Sequence, residues 1–273
     1  AHRTYCLILL MEIEIDLTKS AQQNANDYFY RSKRAKKKAE GAQQSIKELE
    51  TKLQKAKERY EKAPEAKKVK LLGKKEWYEK FHWFFASDGS LAIGGRDASQ
   101  NELINSRYFE EGDLFFHADI FGASVVILKG GTNASAEVKE ETAQFAACYS
   151  SAWKEGQATV NVYALGRSQV TKSKSGGSLG AGAFALSGER EWFRNVRLEL
   201  VASIKAEKLE DKDVFRLIVM PSRAAEFLGI SGVRIVLGKS KKSDAAKAIA
   251  KRLGYEDLDY VMQQLPTGGI SIK

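Results

Sequence analysis

The sequence predicts an α+β fold: a mixed β-sheet domain with flanking helices, preceded by a long basic coiled-coil helical arm. Three observations support this class. A heptad pattern of small and apolar residues runs unbroken from residue 21 to residue 63. Short runs rich in β-branched and aromatic residues, bounded by glycine, follow from residue 81 onwards. Segments with helical spacing begin at capping residues between and after these runs, which places helices beside the sheet.

Composition limits the class of protein. A chain of 273 residues with 43% hydrophobic residues can bury a sizeable core. Its two cysteines, Cys6 and Cys148, are far apart and lack CxxC spacing. This argues against a disulfide framework and a zinc site and fits a reducing cytoplasm. The apolar run at residues 5–11 is too short to span a membrane, so we interpret residues 1–18 as an N-terminal strand or remnant and expect no membrane partner.

The net charge of +9 is concentrated in residues 19–80, the predicted arm. This segment holds 19 basic and 9 acidic residues, whereas the rest of the chain holds 25 and 26. A helix over residues 20–62 would be about 64 Å long at 1.5 Å per residue. Pro64 would end it, and residues 65–80 are the predicted antiparallel return. The heptad seam comprises Ala21, Ala25, Tyr28, Ser32, Ala35, Ala39, Ala42, Ile46, Leu49, Leu53, Ala56, Tyr60 and Ala63.

A run of basic residues in the arm, residues 31–38 (RSKRAKKK), has two interpretations. Charge runs on coiled coils are usually solvated faces. The same density of positive charge also suits contact with phosphate groups. We carry the second interpretation forward for Arg31, Arg34 and Lys37.

The sheet domain, residues 81–273, opens with a predicted hairpin. Two strands at residues 81–86 and 90–93 flank an Asp-Gly turn, and Gly94-Gly95 follows, where the backbone could approach something bulky. Asp97 is a plausible N-cap of the next helix. Arg96, Gln100 and Asn101 would cluster around the exposed amide groups at that helix start, which suits a phosphate. The alternative is a hairpin followed by a well-capped helix.

Alternating strands and helices follow. Ser135 is predicted to cap a helix that runs through residue 151. Residues 166–182 form a basic loop of 17 residues without periodicity, either a phosphate-binding strip of Arg167, Lys172 and Lys174 or a plain linker. The other strands are predicted at residues 158–165, 183–186, 196–204, 215–220, 233–237 and 270–272, with helices at 243–253 and 255–264, and their number favours one mixed sheet.

Three motifs match a known family in order and spacing. Residues 77–102 (WYEKFHWFFASDGSLAIGGRDASQNE) and 112–131 (GDLFFHADIFGASVVILKGG) resemble the RNA-binding NFACT-R domain of the NFACT family of ribosome quality control factors. Residues 20–42 resemble the first helix of that family's coiled-coil middle region. Nothing in this chain resembles the NFACT-N domain or the helix-hairpin-helix modules of full-length members. A separate NFACT-N-like polypeptide is therefore a candidate partner.

The resemblance implies a cytoplasmic protein that binds the obstructed large ribosomal subunit, peptidyl-tRNA, or both, through tRNA or rRNA. No cofactor, metal or catalytic residue is expected. One alternative is a coiled-coil protein-interaction module without direct RNA contact. Another is a small RNA-modifying enzyme that uses His117 and Asp119, which share one face of a strand. The predicted RNA-binding residues are Arg96, Asp97, Gln100, Asn101, His117, Ser124, Lys129, Arg167, Lys172, Lys174, Arg31, Arg34 and Lys37.

Overall fold

The computed structural model describes residues 15–61, 76–174, 177–180, 182–209 and 212–273. The chain divides into two units, residues 1–64 and 65–273. The predicted N-terminal strand lies outside the described residues, as does most of the predicted return helix. Among the described residues, no helix is both long and apolar enough to cross a membrane.

The first unit contains helix α1, Ala21–Glu61, whose 41 residues agree closely with the predicted helix. It begins with a reciprocal cap: the Gln23 N–H donates to Ser20 Oγ at 3.2 Å, and the Ser20 N–H donates to Gln23 Oε1 at 2.9 Å. Two apolar residues in the described part of the seam are exposed to solvent. Ile46 and Leu49 are 54% and 64% exposed.

The second unit contains the sheet domain, and its elements follow the predicted order. The strands are β1 His82–Phe85, β2 Leu91–Gly94, β3 Leu114–Ala118, β4 Val126–Leu128, β5 Thr159–Gly166, β6 Val170–Thr171, β7 Ser173–Lys174, β8 Gly177–Ser178, β9 Ala185–Leu186, β10 Glu191–Arg197, β11 Glu199–Leu209, β12 Lys212–Pro221, β13 Val233–Ser240 and β14 Ile270–Ile272. The helices are α2 Ala98–Arg107, α3 Ala136–Cys148, α4 Ser151–Lys154, α5 Ser222–Phe227, α6 Lys242–Leu253 and α7 Leu258–Gln264.

The α+β class is confirmed, but the single mixed sheet was wrong. The described strands form a six-stranded sheet in the order β1-β2-β4-β3-β5-β10 and a four-stranded sheet in the order β12-β11-β13-β14, with every described pairing antiparallel. Strand patterns in a sequence show which face is buried and do not show which strands pair. The two sheets share a core, because α3 packs against strands of both.

Local chemistry accounts for the hairpin that begins the first sheet. Gly89 adopts φ +87°, which the Asp-Gly turn requires, and the Ser90 N–H donates to Asp88 Oδ1 at 2.8 Å. The turn is also tied to α3, since the Ser87 N–H donates to the fully buried Glu141 carboxylate at 2.9 Å. The strands of the hairpin therefore enter the core in a fixed register.

The described part of the predicted basic loop, residues 166–182, forms short regular elements. A turn of 3₁₀ helix, Arg167–Gln169, leads into β6, which pairs with β9, while β7 and β8 form a short ribbon. Small two-stranded pairs of this size carry no periodicity that a sequence could reveal. The segment is thus a folded flap beside α2, where Lys172 bonds Glu102.

A buried ion pair joins the start of the domain to the second sheet. Glu79 lies in the 3₁₀ turn Trp77–Lys80 and pairs with Arg216 of β12, and both residues are buried, at 3% and 6% exposure. The Tyr260 hydroxyl of α7 reaches Glu79 Oε2 at 3.5 Å and accepts a bond from Trp83 Nε1 at 3.2 Å. Groups from both sheets and from α7 meet at this pair.

Arg216→Met should lower the free energy of unfolding by about 3–5 kcal/mol, because it leaves the Glu79 carboxylate buried without its partner. The double variant Glu79→Gln/Arg216→Met should recover part of that loss, since no charge then stays buried. Urea unfolding followed by circular dichroism measures both. A cost below about 1 kcal/mol for Arg216→Met would mean that the pair behaves like an exposed surface salt bridge.

Candidate nucleic-acid interface

An open pocket of about 510 Å³, here called the α2 pocket, lies between the start of α2, the loop after β3 and one face of the first sheet. Five of the predicted site residues line it: Arg96, Asp97, Asn101, His117 and Ser124. Its remaining wall includes four aromatic residues, Phe115, Phe121, Tyr163 and Phe184. These five residues therefore lie together at one rim of the sheet, as predicted.

Phe121 is the functional candidate that the sequence analysis missed. Its ring is 99% exposed at the tip of the loop after β3. That loop is nevertheless fixed: the Asp119 N–H donates to Asn161 O at 2.7 Å and Ser151 Oγ donates to Phe121 O at 2.6 Å. The signal in the sequence is an aromatic residue directly before Gly122, which has φ +79° and turns the chain. A well-held loop thus presents an aromatic ring to solvent at the pocket rim.

The helix cap at Asp97 is confirmed, but the adjacent glycine has a different role from the one expected. Asp97 Oδ1 accepts from the Gln100 N–H at 2.8 Å. A Cβ placed on Gly95 would lie 2.1 Å from Asn101 Oδ1, and that oxygen accepts the buried Val125 N–H at 3.1 Å. Gly95 therefore makes room for the Asn101 side chain, and Asn101 holds the loop to the helix. The Asp97 carboxylate also places negative charge where a phosphate was expected.

Arg96 was predicted to be an exposed phosphate ligand, but the structure shows a half-buried side chain whose guanidinium bonds other residues of the domain. Its guanidinium donates to Phe81 O at 2.9 Å, to Glu79 O at 3.2 Å and to Gln263 Oε1 at 3.2 Å. Burial lowers the pKa of this guanidinium. The Gln100 side chain likewise bonds main chain, accepting from the Arg96 N–H at 3.1 Å and donating to Lys80 O at 3.1 Å. Both side chains fasten the 3₁₀ turn to α2.

His117 contacts other residues of the domain. Its Nδ1 lies 3.3 Å from the Tyr163 hydroxyl, and its ring stacks on Phe115 at 6.1 Å between centroids. Burial lowers the His117 pKa, and hydrogen bonds to the backbone of Ala118 and Ala123 oppose that effect. The imidazole therefore braces the loop that carries Phe121.

Three of the other predicted phosphate ligands are committed to internal partners. Lys129 Nζ bonds Asp113 Oδ2 at 2.5 Å and Glu110 Oε2 at 2.8 Å. Lys172 bonds Glu102, lowering the pKa of that carboxyl. The Arg167 guanidinium donates to Val170 O at 2.9 Å and lies 5.0 Å from the Phe109 ring centroid. The sequence did not reveal these internal contacts, because the partners are distant in sequence or belong to the main chain.

The assignments of the other predicted RNA-binding residues stay predictions. The structure describes the backbone of Lys174 in β7. Arg31, Arg34 and Lys37 are exposed along α1, and the Arg31 guanidinium lies 6.0 Å from the Tyr28 ring centroid. Ser124 lines the α2 pocket, where its N–H donates to Tyr149 O at 3.4 Å. Among the described residues, no cluster of three or more His, Cys, Asp or Glu side chains is arranged to hold a metal ion.

Arg96→Ala should lower the free energy of unfolding by about 2–3 kcal/mol, because two main-chain carbonyls lose a charged donor. The free energy of unfolding of Arg96→Lys should lie between those of Arg96→Ala and the unsubstituted protein. One ammonium group cannot reproduce the planar fork of guanidinium donors. Urea denaturation measures both variants. An unchanged unfolding midpoint, combined with weaker RNA binding by Arg96→Ala, would restore the original assignment of Arg96 as a ligand.

Stability should decrease as the pH falls from 7.5 to 5. Burial lowers the pKa of both His82 and His117 in the folded protein. Histidines of the unfolded chain titrate near 6.5, so below that pH the unfolded chain binds more protons and is favoured. His82→Phe keeps the stacking on Tyr149 and should flatten the pH dependence of the unfolding free energy. A pH profile identical to that of the unsubstituted protein would show that His82 protonates freely when folded.

Comparison with known proteins bears on this site. Residues 80–188 match the family model described as NFACT protein RNA binding domain. The archaeal Rqc2 homolog aRqcH of Methanocaldococcus jannaschii is 34% identical over 210 residues, which cover 75% of this chain and 30% of that protein. The ribosome quality control complex subunit NEMF homolog of Drosophila melanogaster is 34% identical over 211 residues, covering 75% and 21%. Human NEMF is 32% identical over 179 residues, covering 63% and 16%.

The chain thus spans less than a third of the length of these relatives. A solved structure, the C-terminal part of the fibronectin/fibrinogen-binding protein from Streptococcus suis, has 20% identity and a TM-score of 0.38, covering 66% of this chain and 78% of that one. That superposition is too loose to inform the site. The α2 pocket, in contrast, is built largely from residues inside the matched range, 80–188. The chain thus carries an NFACT RNA-binding domain at residues 80–188 and is similar over 75% of its length to ribosome quality control proteins.

Proposed function

We propose that this chain binds RNA of the translation apparatus during ribosome quality control, holding an unpaired base in the α2 pocket and phosphates along the basic arm. The observation that carries this proposal is the exposed ring of Phe121, held by a fixed loop beside an aromatic pocket within the RNA-binding domain. The names of the relatives place them in ribosome quality control. We extend that setting to this chain, with the obstructed large ribosomal subunit or peptidyl-tRNA in the cytoplasm as its target.

The chemistry of the pocket favours a base over a phosphate. RNA-binding proteins recognise unstacked bases by stacking them on aromatic side chains. Phe121 provides an exposed ring, and Phe184 and Phe115 provide apolar walls. The Asp97 carboxylate at the start of α2 would repel a phosphate there, and the Arg96 charge is occupied by main-chain carbonyls. The pocket therefore supplies stacking, and the positive charge must come from elsewhere.

Helix α1 supplies that charge. Residues 31–38 contain six basic residues and no acidic one, and all eight residues are exposed. A helix that presents such a run attracts the RNA backbone without reading its sequence, and the attraction weakens with salt. We propose that Arg31, Arg34 and Lys37 contribute phosphate contacts, while the pocket contributes selectivity for unpaired RNA.

A second function, as a protein-interaction module, is favoured by one specific feature. The apolar seam residues Ile46 and Leu49 lie three positions apart on α1 and are more than half exposed. Such a stripe suits a partner helix. In this view the seam would bind a protein while the sheet domain binds RNA, so the two functions are compatible.

Phe121→Ala should weaken binding to a single-stranded RNA about tenfold, as expected for the loss of one base-stacking contact worth about 1–3 kcal/mol. Binding to a duplex of the same composition should change little. Fluorescence anisotropy at fixed salt measures both affinities. Phe227→Ala is the matched control, because Phe227 is also exposed, at 68%, but lies in α5 outside the pocket. Equal affinities for Phe121→Ala and Phe227→Ala would remove the pocket from the proposal.

The arm is tested by the triple variant Arg31→Gln/Arg34→Gln/Lys37→Gln. Each phosphate contact that is lost should reduce the slope of log K against log salt by about 0.7 for a single strand. Co-sedimentation with large ribosomal subunits should fall in parallel. A variant that keeps the original slope and co-sedimentation would leave α1 as a spacer or a protein-binding helix.

A further inference from the structure

A strip of arginine and aromatic side chains extends from the α2 pocket to the edge of the first sheet. We call Arg190, Trp192 and Arg194 the β10 strip. Strand β10 is the edge strand of the six-stranded sheet, and these residues lie beyond the range 80–188 that matches the RNA-binding family model. None of them was among the residues predicted to bind RNA.

Sheet register places the strip in line with the pocket. His117 pairs with Tyr163 across β3 and β5, and Tyr163 pairs with Trp192 across β5 and β10. Opposed residues on neighbouring strands project from the same face. The ring centroids are 5.8 Å apart for His117 and Tyr163 and 5.4 Å apart for Tyr163 and Trp192. Because Tyr163 also lines the pocket, the strip begins where the pocket ends.

The two arginines hold their guanidinium groups over these rings. Arg190 Cζ lies 4.4 Å from the Tyr163 ring centroid and 5.8 Å from that of Trp192, and Arg194 Cζ lies 4.0 Å from the Trp192 centroid. A cation over an aromatic face is favourable, most of all over tryptophan. The geometry also places two like charges beside one indole ring, which favours a bound anion.

The charges of the strip are not neutralised within the described part of the chain. Neither Arg190 nor Arg194 forms a salt bridge or side-chain hydrogen bond with a described residue. Trp192 and Arg194 also line a groove in which two other arginines are paired. There Arg223 pairs with Glu140, and Arg234 pairs with Glu199 and Glu226. Asp119 is an exposed carboxylate near Tyr163, at the pocket end of the strip. The unneutralised positive charge is therefore at β10.

We propose that the β10 strip binds single-stranded RNA that continues from the α2 pocket, with a base stacked at Trp192 and phosphates at Arg190 and Arg194. This inference rests on the proposed function of the pocket. An alternating series of aromatic rings and guanidinium groups is the arrangement that binds single strands without sequence preference. A duplex cannot offer its bases to such a surface, so the strip adds preference for unpaired RNA as well as affinity.

The test compares the affinity of the full chain for uniform oligouridylates of about 4 and about 12 nucleotides, lengths within the range that single-strand-binding domains cover. Arg190→Gln/Arg194→Gln should weaken binding of the longer oligonucleotide about tenfold and lower its salt slope by about 0.7 for each lost phosphate contact. Binding of the shorter oligonucleotide, which makes fewer phosphate contacts, should change less than threefold, roughly 0.7 kcal/mol. Trp192→Ala should act in the same direction without changing the salt slope.

Lys251→Gln/Arg252→Gln is the matched control, because it removes the same charge from exposed positions at the end of α6. Circular dichroism checks that each variant folds. If Trp192→Ala does not fold, the arginine variants, which keep every aromatic ring, still test the proposal. If Arg190→Gln/Arg194→Gln and Lys251→Gln/Arg252→Gln bind the longer oligonucleotide equally well, the proposal for the β10 strip is overturned. The proposal for the α2 pocket is then unaffected. Tighter binding of polyglutamate than of RNA also overturns it, assigning the strip to acidic protein. Absence of RNA binding by the unsubstituted chain overturns pocket and strip together.

Discussion

The sheet domain depends on the buried ion pair between Glu79 and Arg216. Burying a carboxylate or a guanidinium without a partner of opposite charge is strongly unfavourable. Each of the two residues can therefore be buried only because the other neutralises its charge. Because Glu79 precedes β1 and Arg216 lies in β12, this requirement fixes the first sheet relative to the second. Arg96 reinforces the same corner by binding the carbonyls of Glu79 and Phe81. The α2 pocket, which Arg96 lines, is thus shaped by a charge pair that does not line it.

Residues that carry charge divide into two groups in this chain, and the division indicates where RNA would bind. Lys129, Lys172 and Arg96 are occupied by carboxylates or carbonyls of the protein, so their charge is already compensated. No described residue forms a salt bridge with the basic run of α1, residues 31–38, or with Arg190 and Arg194. A surface whose cations have internal partners contributes to folding, and one whose cations are exposed contributes to electrostatic attraction.

The features of the fold and of the candidate site that could be predicted are those whose interacting residues are close together in the sequence. The α1 helix, the Asp-Gly hairpin and the caps at Asp97 and Ser135 depend on residues a few positions apart, and all were predictable. The clustering at the α2 pocket followed from the same local motifs. The role of Arg96 was not predictable, since its acceptors lie 15, 17 and 167 positions away. The division into two sheets and the pairing that aligns Tyr163 with Trp192 are likewise long-range choices.

The fixed loop that carries Phe121 has a further consequence for recognition. A flexible loop must lose conformational entropy when it closes on a ligand, and that loss reduces affinity. Here the main chain around Phe121 is already bonded to Ala118, Asn161 and Ser151. Only the torsions of one ring remain to be ordered. The conformational entropy of this loop is therefore lost when the protein folds. An unpaired base can then bind without a prior rearrangement of the loop.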